Sequence, residues 1–146
     1  MELNILRADP AGNITVFVLD PVEKAQRAAI AEKIMAIPAL KAEQVGYACT
    51  AEDDVDGHME MMGGEFCGNA TRAYGMYIAQ QKGGLSSVRL RVSGCDHVVT
   101  AQVDLKSGTA RAEMPCPRSV KRVTVNGHEG TLVDLTGIAH FVVEGV

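Results

Sequence analysis

The sequence predicts an α+β fold, a mixed but mostly antiparallel curved sheet wrapped around one central buried helix. Three observations carry this. From Ser86 onward the chain reads as strand and turn throughout. Between Ala73 and Gln81 there is no charge, and Ala73, Tyr74, Met76, Tyr77, Ile78 and Ala79 cover a helix on every side, the mark of a buried helix. A second run places Ile30, Ile34 and Ile37 at helical spacing opposite charged residues, which suits a helix lying on a sheet.

Taken in order, Leu3–Ala8 and Asn13–Leu19 are strands joined by the turn-rich Asp9-Pro10-Ala11-Gly12. Helix 1 should then start with Asp20 as N-cap, Pro21 at the first position and Glu23 at the third, a capping-box-like pattern, and stop at Pro38. Its outer face would carry Lys24, Arg27, Glu32 and Lys33. Gln44–Thr50 and His58–Met62 are strands on either side of the acidic loop from Glu52 to Gly57. That loop lacks the spacing of a calcium-binding EF-hand, so it reads as a solvated loop.

Helix 2 runs from about Gly68 to Gln81 and ends at Lys82-Gly83-Gly84. Its apolar circumference puts Tyr77 in the core. Val88, Leu90 and Val92 alternate with Arg89 and Arg91, a half-buried strand. Val98–Val103 and Thr109–Met114 flank a hairpin loop, Ser119–Val125 and Thr131–Leu135 flank the hairpin signal Asn126-Gly127, and Ile138–Glu144 is a last strand.

The 146 residues are 47% apolar and 22% charged, which fits one domain with a proper core. A net charge of −4, with no basic cluster beyond Lys121-Arg122, gives no footprint for nucleic acid. No run approaches the ~20 apolar residues of a membrane span, and the amino end lacks a signal-peptide layout, so a soluble, cytoplasmic protein is expected. Four dispersed cysteines without zinc-type spacing read as free thiols of a reducing compartment. Cys49 belongs in an apolar run and should be buried, whereas Cys95 and Cys116 fall in turns.

Cys67 differs from these three. It opens helix 2 within Gly63-Gly-Glu-Phe-Cys67-Gly68-Asn69-Ala-Thr-Arg72. A thiol there meets unpaired backbone N–H groups and the positive end of the helix dipole, which favour its thiolate. The same N–H groups can hold a carboxylate. A thiolate beside an anion clamp is half of a site for removing the α-proton of an amino acid without pyridoxal phosphate.

The stretch Met59-Glu-Met-Met-Gly-Gly-Glu-Phe-Cys-Gly-Asn-Ala-Thr-Arg-Ala73 resembles the first cysteine motif of the diaminopimelate epimerase superfamily, and its wording is similar to the histidine racemase branch. Ala11-Gly12-Asn13 and Gly137-Ile-Ala-His140 match two further family positions in order. The resemblance implies a diaminopimelate-epimerase-like lobe over residues 1–146 and no cofactor. It implies chemistry by two cysteines, one taking the proton as thiolate while the other returns one to the opposite face. Cys67 matches the first cysteine, Gly68 and Asn69 the carboxylate-binding helix start, and Asn13 the early substrate-binding asparagine. Glu43 lies near a glutamate that the racemase branch places before its third strand, with an ordinary solvated glutamate as the other reading.

Two departures from the epimerase pattern weigh against diaminopimelate as substrate. Met61-Met-Gly-Gly-Glu65 replaces a polar block ahead of the cysteine, and Ile138 replaces a substrate-binding asparagine. The family's chains are about twice as long, with a second cysteine motif that Cys49, Cys95 and Cys116 do not supply. The chain stops at Val146 after an apolar strand, where the family crosses into its second lobe. The amino-acid substrate would therefore need a second lobe, a partner chain or a homodimer mate to bring the other cysteine. Two other readings stand beside this one. One is a lobe that binds an amino-acid carboxylate without turnover. The other is a thiol hydrolase or transferase using His58, His97, His128 or His140 as base.

Overall fold

The computed structural model describes residues 1–145; position 146, the final residue of the expected lobe, lies outside them. The chain forms β1 (Ile5–Ala8), β2 (Thr15–Val18), α1 (Lys24–Met35), β3 (Gln44–Cys49), β4 (Gly57–Met61), α2 (Gly68–Gln81) and β5 (Ser87–Val92). It continues with β6 (Val99–Asp104), β7 (Thr109–Ala112), β8 (Ser119–Val125), β9 (His128–Leu135) and β10 (Ile138–Val142). The class is α+β, with a mixed sheet and two helices.

Strands β1 to β7 lie side by side in chain order as one seven-stranded sheet. Neighbours pair antiparallel except β2 with β3 and β4 with β5, which are parallel. A parallel pair needs a crossover, and the two helices are those crossovers. They take opposite faces. On one side α1 buries Ile30, Ala31 and Ile34 against Val16, Val18, Val45 and Tyr47. On the other, α2 packs Ala70, Tyr74, Ile78 and Ala79 onto Phe17, Met59, Leu90, Val99 and Ala101. The period-two alternation of β2 thus feeds two cores, and all four of its residues are buried.

Several expectations change. The strands do not form one sheet, because β8, β9 and β10 make a separate three-stranded sheet. Pro115 and Pro117 lie between β7 and β8 and have no N–H to donate, so the first ladder ends there. The Asn126-Gly127 hairpin is present with both residues at positive φ, and its tightness starts β9 at His128 rather than Thr131. Helix α1 begins at Lys24 with Glu23 in the cap position and no side-chain cap. Asp20 instead accepts from the backbone N–H and side chain of Asn4. Ile37 falls past the end of α1 and is exposed.

Arg27 is not on the outer face. Its side chain turns under α1 to pair with Glu60 and to lie over the Tyr47 ring, 5.1 Å from the centroid. Tyr77 is half-buried, since α2 shows its Ala73–Met76–Tyr77 side to a cleft beside β1 and β7; Tyr74 is the tyrosine of this helix that is buried. The acidic loop is pinned, with Asp54 and Glu52 against Arg91 and Asp56 accepting from the Arg89 N–H. Cys49 is half-buried, and all four cysteines are free. No helix among the described residues is long and apolar enough to cross a membrane.

Candidate active site

Cys67 is the N-cap residue of α2, with extended backbone (φ −130°, ψ 110°). Its Sγ accepts from the Ala70 N–H at 3.4 Å, as a cap side chain does. Its carbonyl accepts from both the N–H and the hydroxyl of Thr71, at 2.9 and 2.8 Å. Gly68 and Asn69 are the first two helical residues, whose N–H groups have no acceptor within the helix. A Cβ on Gly68 would come within 3.1 Å of Met114 Sδ, so glycine keeps this mouth clear.

The chain just before Cys67 is held from β5's far end. Ser93 Oγ donates to the Glu65 carbonyl at 2.7 Å and accepts from the Met61 N–H at 2.8 Å. Gly94 has φ +70°, and a Cβ there would lie 2.2 Å from the Phe66 nitrogen. No other residue fits so close to that backbone. From the small sheet, the Gly137 turn closes on the same loop, where a Cβ would be 3.1 Å from Glu65 Cα.

A polar network reaches the sulfur from β2 and β3. Gln44 Nε2 lies 3.2 Å from Cys67 Sγ, 3.0 Å from Asn13 Oδ1 and 2.7 Å from Thr15 Oγ1, so its two hydrogens are shared among three acceptors. Asn13 Oδ1 also accepts from Asn69 Nδ2 at 3.2 Å, and Asn13 Nδ2 donates to Glu43 Oε2 at 2.9 Å. Asn69 Oδ1 in turn accepts from Arg72. The parallel register Thr15↔Gln44 is what brings these strand starts together at the mouth of α2.

Asn13, Cys67, Gly68 and Asn69 all line one cleft of about 440 Å³. Glu43 joins only through Asn13; it is exposed and outside the lining. Arg72, Glu65 and Phe66 form further wall, and Ile138, Leu135 and His140 of the small sheet stand opposite. Gln44, Ser93 and Gly94 escaped the sequence reading. Gln44 had one signal, a polar amide opening an otherwise apolar strand beside the noted Glu43. Cys67 is bonded to an amide and a backbone N–H, and His140 lines the same cleft without a hydrogen bond to the sulfur. The other three cysteines lie outside this lining.

A family model described as the histidine racemase CntK N-terminal domain matches residues 2–145. The histidine racemase of Fusobacterium nucleatum subsp. nucleatum strain ATCC 25586 is 33% identical over 151 residues, covering 96% of this chain and 54% of that protein. A histidine racemase from strain ATCC 23726 of the same subspecies is 31% identical, with the same coverage of both chains. The histidine racemase of Staphylococcus aureus strain Mu50 is 32% identical, over 81% of this chain and 44% of its own length. The chain thus spans about half the length of the curated relatives it matches.

Proposed function

The chain belongs to the family of histidine racemase CntK N-terminal domains, and from that premise we propose that it supplies one half of a cofactor-independent amino-acid racemase site. The lobe is of the diaminopimelate-epimerase-like kind, and histidine, named for all three relatives, is the substrate to test. The observation that carries the reading is Cys67 itself: a free thiol at the start of a helix packed on the sheet, with two N–H donors on its sulfur, opening into a cleft edged by Asn13 and Asn69.

An amino-acid α-proton is feebly acidic, so its removal needs a positioned base and stabilisation of the charge left behind. In this proposal the Cys67 thiolate takes the proton from one face. The substrate carboxylate lies on the Gly68 and Asn69 N–H groups, where the helix dipole favours negative charge. A thiol from a second half, in the same chain, a partner or a second copy, returns a proton to the opposite face. Gln44 orients the sulfur, and Asn13 fixes the amide orientations of Gln44 and Asn69. A reducing compartment such as the cytoplasm keeps Cys67 a free thiol.

Diaminopimelate epimerase proper is the weaker substrate reading, since apolar Ile138 stands on the cleft wall where that enzyme needs an amide. A lobe that binds without turnover is favoured by one fact, the single cysteine in the cleft lining. Proton NMR in D2O separates these readings, with the chain mixed with histidine and with a second-half polypeptide from a relative. Loss of the Cα–H signal that Cys67→Ser abolishes supports the racemase. Saturable histidine binding without any exchange selects the binding role, and full exchange by Cys67→Ser rules the thiolate base out.

A further inference from the structure

On the α1 face of the sheet, away from the Cys67 cleft, three donors of different chemistry converge. Cys49 and His58 are directly paired across β3 and β4, and Glu60 lies two residues beyond His58 on the same face. One ligand atom from each lies within 4.8 Å of the others. The side chains of His58 and Glu60 are about one-fifth exposed, and Cys49 is half-buried at the edge of a cleft lined by Leu19, Pro21 and Val22. We propose that Cys49, His58 and Glu60 form a binding site for a thiophilic divalent cation of the zinc class, with the Arg27 guanidinium as its competitor.

The donor set suits that class. Thiolate, imidazole and carboxylate together are the ligands of tetrahedral zinc, and three protein ligands leave a fourth position open. Two paired strands hold them, which fixes their spacing better than a loop would. The arrangement at Arg27 points the same way. Its guanidinium pairs with Glu60 and lies 3.5 Å from Cys49 Sγ, so a cation already bridges two of the three donors. Arg27 also bonds the Val22 carbonyl and lies over Tyr47, contacts it keeps if a metal takes the other two. Lys24, 3.8 Å from Glu60, is mostly in solvent and competes weakly. Coordination replaces the S–H bond with a metal–sulfur bond and releases the proton to solvent.

The second three-donor group among the described residues, Cys95, Asp96 and His97, lies within one more exposed turn and serves as the control. The experiment is a cobalt(II) titration of the protein, followed by the thiolate-to-cobalt charge-transfer band and the tetrahedral d–d bands, with circular dichroism to check each fold. One cobalt should bind, more tightly as pH rises. Cys49→Ser should abolish the charge-transfer band, and His58→Ala should weaken binding by more than the roughly ten- to hundredfold typical of losing an outer-shell partner. Arg27→Gln should tighten it, and the double variant Cys95→Ser/His97→Ala should leave it unchanged. A band that survives in Cys49→Ser, or its absence from the native protein up to millimolar cobalt, overturns the proposal.

Discussion

Cys67 owes its position to the loop in front of α2 as much as to the helix it caps. Ser93 and Gly94 fix Glu65 and Phe66 from beneath, and Gln44 meets the sulfur from the side. The motif around Cys67 could be read from sequence because its residues are consecutive; these supports could not, because 27 positions separate Gly94 from Cys67 and only the β4–β5 pairing joins them. Gly94→Ala should cost about 3 kcal/mol or more in a urea melt, combining a positive-φ strain with a backbone clash. Gln44→Leu should cost about 1–3 kcal/mol in the melt, from the acceptors it leaves unpaired, and should also slow alkylation of Cys67 by iodoacetamide several-fold in the protein that remains folded, read by mass spectrometry. Unchanged alkylation would remove Gln44 from the orienting role.

At the scale of elements, α2 was legible to the residue because a Gly-Asn start, an uncharged middle and a Gly-Gly stop all agree. Its burial was over-read. Apolar residues all round a helix do not say which side a sheet covers, and here one side borders a cleft. The buried side holds Tyr74, whose hydroxyl is raised from near 10 to about 12, chiefly by burial and secondarily by Cys49. The folded protein therefore keeps this proton over a pH range where the unfolded chain has lost it. Stability is intact below pH 10 and should fall by about 2–3 kcal/mol as pH rises to 12, a fall that Tyr74→Phe reduces.

The β3–β4 pair has an acid-side counterpart. Burial alone would raise the Glu60 carboxyl, but Arg27, with Lys24 and His58, outweighs it and holds the group below its ordinary value near 4.5. The pairing therefore stabilises fully above that value and is lost as pH falls through the depressed one. Thermal melts of native protein and Glu60→Gln should differ near neutrality and converge as pH falls through the depressed value; a constant gap would show that Glu60 acts by packing alone. The sequence reading set Arg27 in solvent because long charged residues at the start of a surface helix usually stay there. A stem that runs under the helix while the head finds an acid is invisible to periodicity.

For the whole molecule, the existence of most strands and both helices was legible from patterning, whereas the order of β1 to β7 comes only with the pairing, and the break into a second sheet rests on two prolines that patterning alone does not weigh. That small sheet reaches the candidate site, since Leu135, Ile138 and His140 line the same cleft as Cys67, and elsewhere on it Val120 and Val142 are exposed. A site walled by one cysteine, in a chain half the length of its relatives, should be silent in isolation if the second thiol comes from elsewhere. Histidine α-proton exchange by this chain alone should then be undetectable at any concentration and appear in proportion to an added second-half polypeptide. A homodimeric site predicts something different, a rate that rises with the square of dilute protein concentration and vanishes in mixtures dominated by Cys67→Ser. Measuring exchange across a hundredfold concentration range, with and without the second half, distinguishes the two assemblies through the order of the rate in this chain.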